Sequence, residues 1–124
     1  HHSQLSWERL SEFMIAVHSK ETLNLLASGS QKLVVVFGAE WCNDCAKIEA
    51  SMDALADDVD VMICKVDVDR DQGFMEVANE AHIVTLPHLV FVTMAPGQTE
   101  IDFTHLATKY RSYTGSNVEE LTRL

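Results

Sequence analysis

The apolar positions of the chain fall into alternating strand-like runs and helix-like periods. Leu33-Val34-Val35-Val36-Phe37 is continuously apolar and stops at Gly38, the pattern of a strand covered on both faces near the middle of a mostly parallel sheet. Beyond it, Ile48, Met52, Leu55 and Ala56 recur at helical spacing while Lys47, Glu49 and Asp53 point elsewhere, which predicts a helix over 42–57. A second apolar run, Val59 to Val68, puts Val61, Ile63, Val66 and Val68 in strand-like company. Strand, helix and strand within this length form a parallel βαβ unit.

The flanks extend the alternation. Leu5, Trp7, Leu10 and Phe13 give a weakly amphipathic helix over 4–13 that runs into a short strand around Met14–Val17. Leu23, Leu25, Leu26 and Ala27 belong to a second helix that stops at Ser28-Gly29-Ser30. Downstream come a short helix from Gln72 to Ala81, the run Leu89-Val90-Phe91-Val92 after the Leu86-Pro87 step, and a turn at Pro96-Gly97. Residues 99–114 are polar and β-rich, carrying Ile101, Phe103, Tyr110 and Tyr113, and a closing helix from Val118 to Leu124 follows an N-cap at Asn117. Strands alternating with helices, then a hairpin and a helix, predict an α/β sandwich on a mixed sheet. With no repeat, low-complexity tract or long linker, residues 1–124 read as one domain.

Composition narrows the function. At 124 residues, 47% hydrophobic and 23% charged, the chain can bury roughly two thirds of its unfolded surface without a disulfide scaffold, and three cysteines are too few for one. Nine basic against nineteen acidic residues give a net charge of −10, which argues against nucleic acid as a partner. No apolar run approaches the ~20 residues that span a bilayer, so a membrane partner is not expected. His1 and His2 look like the remnant of a purification tag, which leaves any natural targeting peptide outside the sequence. The expected setting is cytoplasmic, with an organelle as the alternative.

The segment that carries chemistry is Ala39-Glu40-Trp41-Cys42-Asn43-Asp44-Cys45, a Cys-x-x-Cys pair where a buried strand meets a helix. Cysteines three apart across a first helical turn can close a small disulfide. The first thiol sits where unsatisfied N–H groups and the positive end of the helix dipole favour thiolate, the attacking species in disulfide exchange.

From Val34 through Trp41-Cys42-x-x-Cys45 the chain resembles the thioredoxin family. The resemblance continues through Lys65-Val66-Asp67-Val68-Asp69 and through Ile83-Val84-Thr85-Leu86-Pro87, whose proline lies 45 residues beyond Cys42; it covers residues 30 to 95 well and the ends loosely. It implies a thioredoxin-like fold, an α/β domain whose central mixed sheet is flanked by helices on both faces. It also implies a protein dithiol/disulfide oxidoreductase with Cys42 as nucleophile and Cys45 as resolving thiol. Trp41 would wall the active surface, and Pro87, in cis, would face the sulfurs. The backbone of Leu86 would pair with an extended substrate, and Lys65 matches a lysine near the buried end of the site. Implied partners are disulfide-containing proteins as substrates and a reductase or low-molecular-weight thiol as electron donor. The domain would work as a monomer and need no metal or bound organic cofactor.

Several residues depart from the family pattern. Its buried acid on the central strand, held to assist deprotonation of the second cysteine, is replaced by Val36, and its helix proline eight residues after the first cysteine by Ala50, which should leave a straighter helix. Asn43-Asp44 separate the cysteines in place of Gly-Pro, and about ten residues between Pro96 and Gly115 read as an insertion suited to partner specificity. Asp44, one turn from Cys42, competes for the helix dipole and disfavours the thiolate. With no histidine between the sulfurs, the pair should be reducing, nearer about −270 mV, as in thioredoxins, than the about −180 mV of disulfide isomerases.

Other readings stand beside this one. Cys42 and Cys45 could be half of a zinc site, with Cys64, His82 and His88 in sequence but no second pair at ligand spacing, or two inert thiols. Cys64 reads as a small buried hydrophobe and His88 as a strand-start histidine satisfied by backbone. Asp67 to Gly73 resembles a calcium loop with its glycine one place late and Ala78 where a glutamate is required, and so reads as a solvated turn. From a different class, the chain could be a docking module of a larger protein, its surface holding a partner while its thiols matter little.

Overall fold

A computed structural model describes residues 14–30, 32–58 and 61–115. The expected helices over 4–13 and 118–124 lie outside the described residues. The elements run β1 (Met14–Ala16), α1 (Lys20–Ser30), β2 (Lys32–Gly38), α2 (Asn43–Asp58), β3 (Met62–Asp67), α3 (Gln72–Glu80), β4 (His88–Thr93), α4 (Leu106–Lys109) and β5 (Arg111–Thr114). One sheet in the order β1-β3-β2-β4-β5 holds all five strands. β1 and β2 lie parallel to β3, and β4 runs antiparallel to both β2 and β5. The mixed α/β sheet is the one the alternation predicts.

β2 sits at the centre because it has no polar position to present: Leu33 through Gly38 are all buried. Alternate residues then serve two cores. Leu33, Val35 and Phe37 pack with Cys64 and Val66 of β3 against Leu23 and Ala27 of α1 and Phe74 and Val77 of α3. Val34 and Val36 pack with Ile63 and Leu89 against Ile48 and Met52 of α2. Helices therefore cover both faces of the sheet, as the resemblance implies.

Local chemistry sets the helix ends. Ser19 caps α1, its hydroxyl accepting the N–H of Thr22 at 3.2 Å. The glycine stop expected at Ser28-Gly29-Ser30 does not hold: α1 continues through Gly29 to Ser30 and leads almost directly into β2. Burial of Leu23 and Ala27 on one face outweighs the ~1 kcal/mol that an interior glycine costs. α3 buries Phe74, Val77 and Ala78 and ends at Glu80 with Ala81 as its C-cap, after which His82 takes a left-handed φ of 58°.

Residues 97–114 are no appended loop. Ile101, Leu106 and Tyr110 enter the α1/α3 core, and β5 pairs with β4 from Phe91↔Arg111 to His88↔Thr114. The expected antiparallel pair is present in β4 and β5, but a long connection containing α4 joins the strands in place of a tight turn. Asn24 on α1 fixes it by accepting the Ile101 N–H at 2.8 Å, and the Tyr110 hydroxyl accepts the N–H of Asp102 at 3.1 Å. His105 Nδ1 and Lys109 Nζ stand 3.1 and 3.8 Å from the Asp102 carboxylate; desolvation pushes that carboxyl up, but hydrogen bonds from the His105 side chain and backbone N–H, with attraction to His105 and Lys109, hold it below its usual range.

Candidate active site

The C-terminal end of β2 and the N-terminus of α2 meet at the cysteine pair. The Gly38-Ala39 step leaves the sheet, a tight turn closes with the Cys42 N–H on the Ala39 carbonyl at 3.1 Å, and α2 begins at Asn43. Cys42 thus stands just before the first helical residue, where backbone N–H groups lack intrahelical acceptors. One of them, on Cys45, donates to Cys42 Sγ at 3.1 Å. The two sulfurs are joined in a disulfide with the Cα atoms 5.2 Å apart. Cys42 is 8% and Cys45 3% exposed, so both are buried, and Cys42 is the one of the two that lines the neighbouring cavity.

A surface cavity of about 440 Å³ opens beside the pair, lined by Cys42 and Ala46 of the α2 end, Val36 and Gly38 of β2, Lys65 of β3 and Glu49 of α2. Gly38 brings the strand close to the second sulfur, since a Cβ there would stand 3.0 Å from Cys45 Sγ. Val36, in the place of the expected acid, is buried and offers this cavity only methyl groups.

The other expected residues divide into two groups. Trp41 is 67% exposed beside Cys42, its indole N–H donating to Asp69 Oδ2 at 3.1 Å. Asn43 and Asp44 are exposed in the first turn of α2, and Lys47 Nζ stands 3.7 Å from Asp44 Oδ1. The Leu86-Pro87 bond is cis, and because Phe37 pairs with His88, that bond lies at the same end of the sheet as Gly38 and the cysteine turn. Leu86 is half-buried and Pro87 buried, with the Pro87 carbonyl accepting the Gly115 N–H at 3.2 Å. Lys65 sits deeper, its ammonium 3.5 Å from Glu49, each side chain about a quarter exposed. Glu49 was expected to point away from the packed face of its helix; it turns into the cavity instead. Two signals pointed to it: its place four residues after Cys45, on the same helical face, and a lysine in a covered strand that needs an anion. Asp69 carried no such signal.

The residues weighed for a zinc site are dispersed. Cys64 is fully buried in the α1/α3 core, across the sheet from α2, and burial pushes its thiol up to about 12. Among the described residues, no three His, Cys, Asp or Glu side chains gather as metal ligands. In the segment likened to a calcium loop, Asp67 Oδ1 accepts the N–H groups of Asp69 and Arg70 at 2.8 and 3.0 Å, a turn that fixes its own backbone.

His88 finds a side-chain partner rather than the expected backbone one: Nδ1 lies 3.0 Å from the Thr114 hydroxyl and the ring meets Phe37 edge-on at 6.3 Å. Burial holds its pKa below the usual 6.5. The unfolded chain therefore takes up this proton first as pH falls, so the contribution of neutral His88 is complete above pH 6.5 and declines below it. In His88→Gln, the urea midpoint is expected to fall less between pH 7 and pH 5 than in wild type; equal falls would show that His88 does not titrate with folding.

Comparisons with known proteins agree with this geometry. The thioredoxin family model matches residues 14–112. Thioredoxin H8 of Arabidopsis thaliana is 38% identical over 74 residues, 59% of this chain and 48% of that protein. Thioredoxin-2 of Saccharomyces cerevisiae is 36% identical over 67 residues, 53% of this chain and 62% of that protein. The match thus spans about half to two thirds of these relatives' own lengths. Mitochondrial thioredoxin 3 of S. cerevisiae, solved in its oxidized form, shares the fold with a TM-score of 0.68 at 21% identity, covering 93% of this chain and 94% of that one. On the extent of the family match, together with the cysteine pair at the head of α2, the chain belongs to the thioredoxin family.

Proposed function

We propose that the protein is a dithiol/disulfide oxidoreductase that reduces disulfides in other proteins. The observation that carries this reading is the Cys42–Cys45 disulfide at the N-terminus of α2, with the Cys45 N–H aimed at Cys42 Sγ. An N–H so placed stabilises a thiolate when the disulfide opens, which suits Cys42 as nucleophile and leaves Cys45 as the resolving thiol. Trp41 is exposed beside Cys42 in the chain and the start of β4 lies at the same end of the sheet, which supports Trp41 as one wall, Pro87 facing the sulfurs and the Leu86 backbone pairing with an extended substrate. Asn43 and Asp44, exposed in the first turn of α2 next to Cys42, are placed to meet a substrate, and Lys65 lines the inner cavity.

Both sulfurs come from one chain, which supports a monomer as the working unit. The reading requires a reductase or low-molecular-weight thiol to regenerate the dithiol, and hence a setting that supplies one, the cytoplasm or an organelle. No described helix is long and apolar enough to cross a membrane. The test is insulin reduction by dithiothreitol: catalytic amounts of the protein are expected to accelerate it. A rate equal to that of dithiothreitol alone would favour the docking module.

A further inference from the structure

We propose that Glu49, held by Lys65 in the cavity beside the cysteine pair, is the proton acceptor for Cys45 when Cys45 resolves the mixed disulfide. The inference rests on the redox reading above and adds a residue to it.

Cys45 is 3% exposed, so once the disulfide opens its thiol has little access to solvent. A thiol attacks only as thiolate, and a buried one needs an acceptor within a hydrogen bond or one water. Glu49 lies four residues along α2 from Cys45, a spacing that brings Cβ atoms to about 6 Å on one helical face. Glu49 also lines the same cavity as Cys42 and Gly38, and Gly38 is the residue whose open side faces Cys45 Sγ. The cavity is far larger than the roughly 30 Å³ share of a liquid water and offers polar partners, so a water has room beside the carboxylate, on the side where Gly38 separates the cavity from Cys45 Sγ.

The neighbouring charges single Glu49 out. Glu40 is exposed in the turn, Asp67 Oδ1 is engaged by two backbone N–H groups, and Asp44 faces outward near Lys47. The basic side chains lining the cavity are Lys65, His18 and Arg70; His18 meets Asp71, and Lys65 approaches Glu49. Lys65 projects beside Val36, its register partner on β2, and so reaches Glu49 from the sheet side. The carboxylate that Val36 does not provide thus comes from the helix.

The steps balance. The Cys42 thiolate bonds to one substrate sulfur, and the other leaves as a thiolate that takes a proton from solvent. The Cys45 thiol passes its proton to Glu49, its sulfur bonds to Cys42 Sγ, and the bond from Cys42 to substrate breaks. The departing substrate thiolate takes the proton that Glu49 holds. Two electrons have passed from the dithiol to the substrate disulfide.

The aromatic disulfide 5,5′-dithiobis(2-nitrobenzoate) reads both steps on the reduced full chain, one coloured thiolate leaving as Cys42 attacks and a second as Cys45 resolves. With an internal acceptor, the second release in wild type is expected to be nearly level between pH 6 and 8; a rise of about tenfold per pH unit would overturn the proposal. In Glu49→Gln the second release relative to the first is expected to fall at least about tenfold at pH 6 to 7. The difference should narrow as pH rises further, because hydroxide then removes the Cys45 proton without the carboxylate. Glu49→Asp should recover to within about threefold of wild type, because a carboxylate remains. A Glu49→Gln rate equal to wild type, or lowered by one factor at every pH as a structural defect would be, overturns the role of Glu49. A wild type releasing a single equivalent, as Cys45→Ser should, overturns the redox reading instead.

Discussion

Replacing Phe37 by alanine is expected to cost about 3–5 kcal/mol of stability, the usual loss for truncating a buried phenylalanine. Phe37 is fully buried on the central strand, contributes to the core between β2 and the α1/α3 layer, and meets His88 edge-on. The site has little room to collapse, because the neighbouring β2 positions that face the same core, Val35 and Leu33, are themselves buried and tied into the pairing with β3 and β4. A domain of this size has about 5–15 kcal/mol in total, so the loss is a large share. With a urea dependence of about 1–3 kcal/mol per molar, the midpoint should fall by at least about 1 M. Gly38 follows directly and opens the turn to Cys42, so disulfide-reducing activity should fall with the folded fraction. A loss below about 1 kcal/mol would show that the strand repacks around the gap.

The parts of the fold that could be read from sequence are those where one local pattern and its packing agree. The run from Leu33 to Phe37 announces a doubly covered strand, and Cys42-x-x-Cys45 at its helical exit announces the site. Both hold because β2 needs no distant partner to be recognised as central. The stretch after Pro96 reads as an insertion because its apolar residues, Ile101, Leu106 and Tyr110, are too few and too widely spaced to mark one continuous helix or strand. Only the core against α1 explains their spacing, and Asn24, 77 residues away, explains where the chain turns. Gly29 misleads for a related reason, since a local stop signal is weaker than the packing of the helix that contains it. Glu49 is hidden differently: its period places it off the apolar face, yet a half-buried lysine on β3 draws it inward.

Cys42→Ser and Cys45→Ser are expected to fail in opposite ways, and the contrast is the largest effect on activity. On the proposed reading a serine at Cys42 removes the attacking sulfur, so insulin reduction should drop to the rate of dithiothreitol alone, with no covalent intermediate. A serine at Cys45 leaves Cys42 and the turn that presents it, so attack proceeds and the mixed disulfide cannot be released from within. In wild type the two sulfurs are close enough to be joined, which makes resolution intramolecular. Effective molarities of well-oriented groups reach about 10⁵ M, so a millimolar external thiol competes poorly even against a small part of that value. The Cys45→Ser complex should therefore outlast its wild-type counterpart by at least about a hundredfold. It should appear on non-reducing gels as a larger species that dithiothreitol dissolves. A docking module would instead hold its partner without a covalent bond, and both serine variants would bind as wild type does. Capture by Cys45→Ser that disappears in the Cys42→Ser, Cys45→Ser double variant assigns the bond to Cys42; capture that survives in the double variant assigns it to the surface and removes the sulfurs from the account.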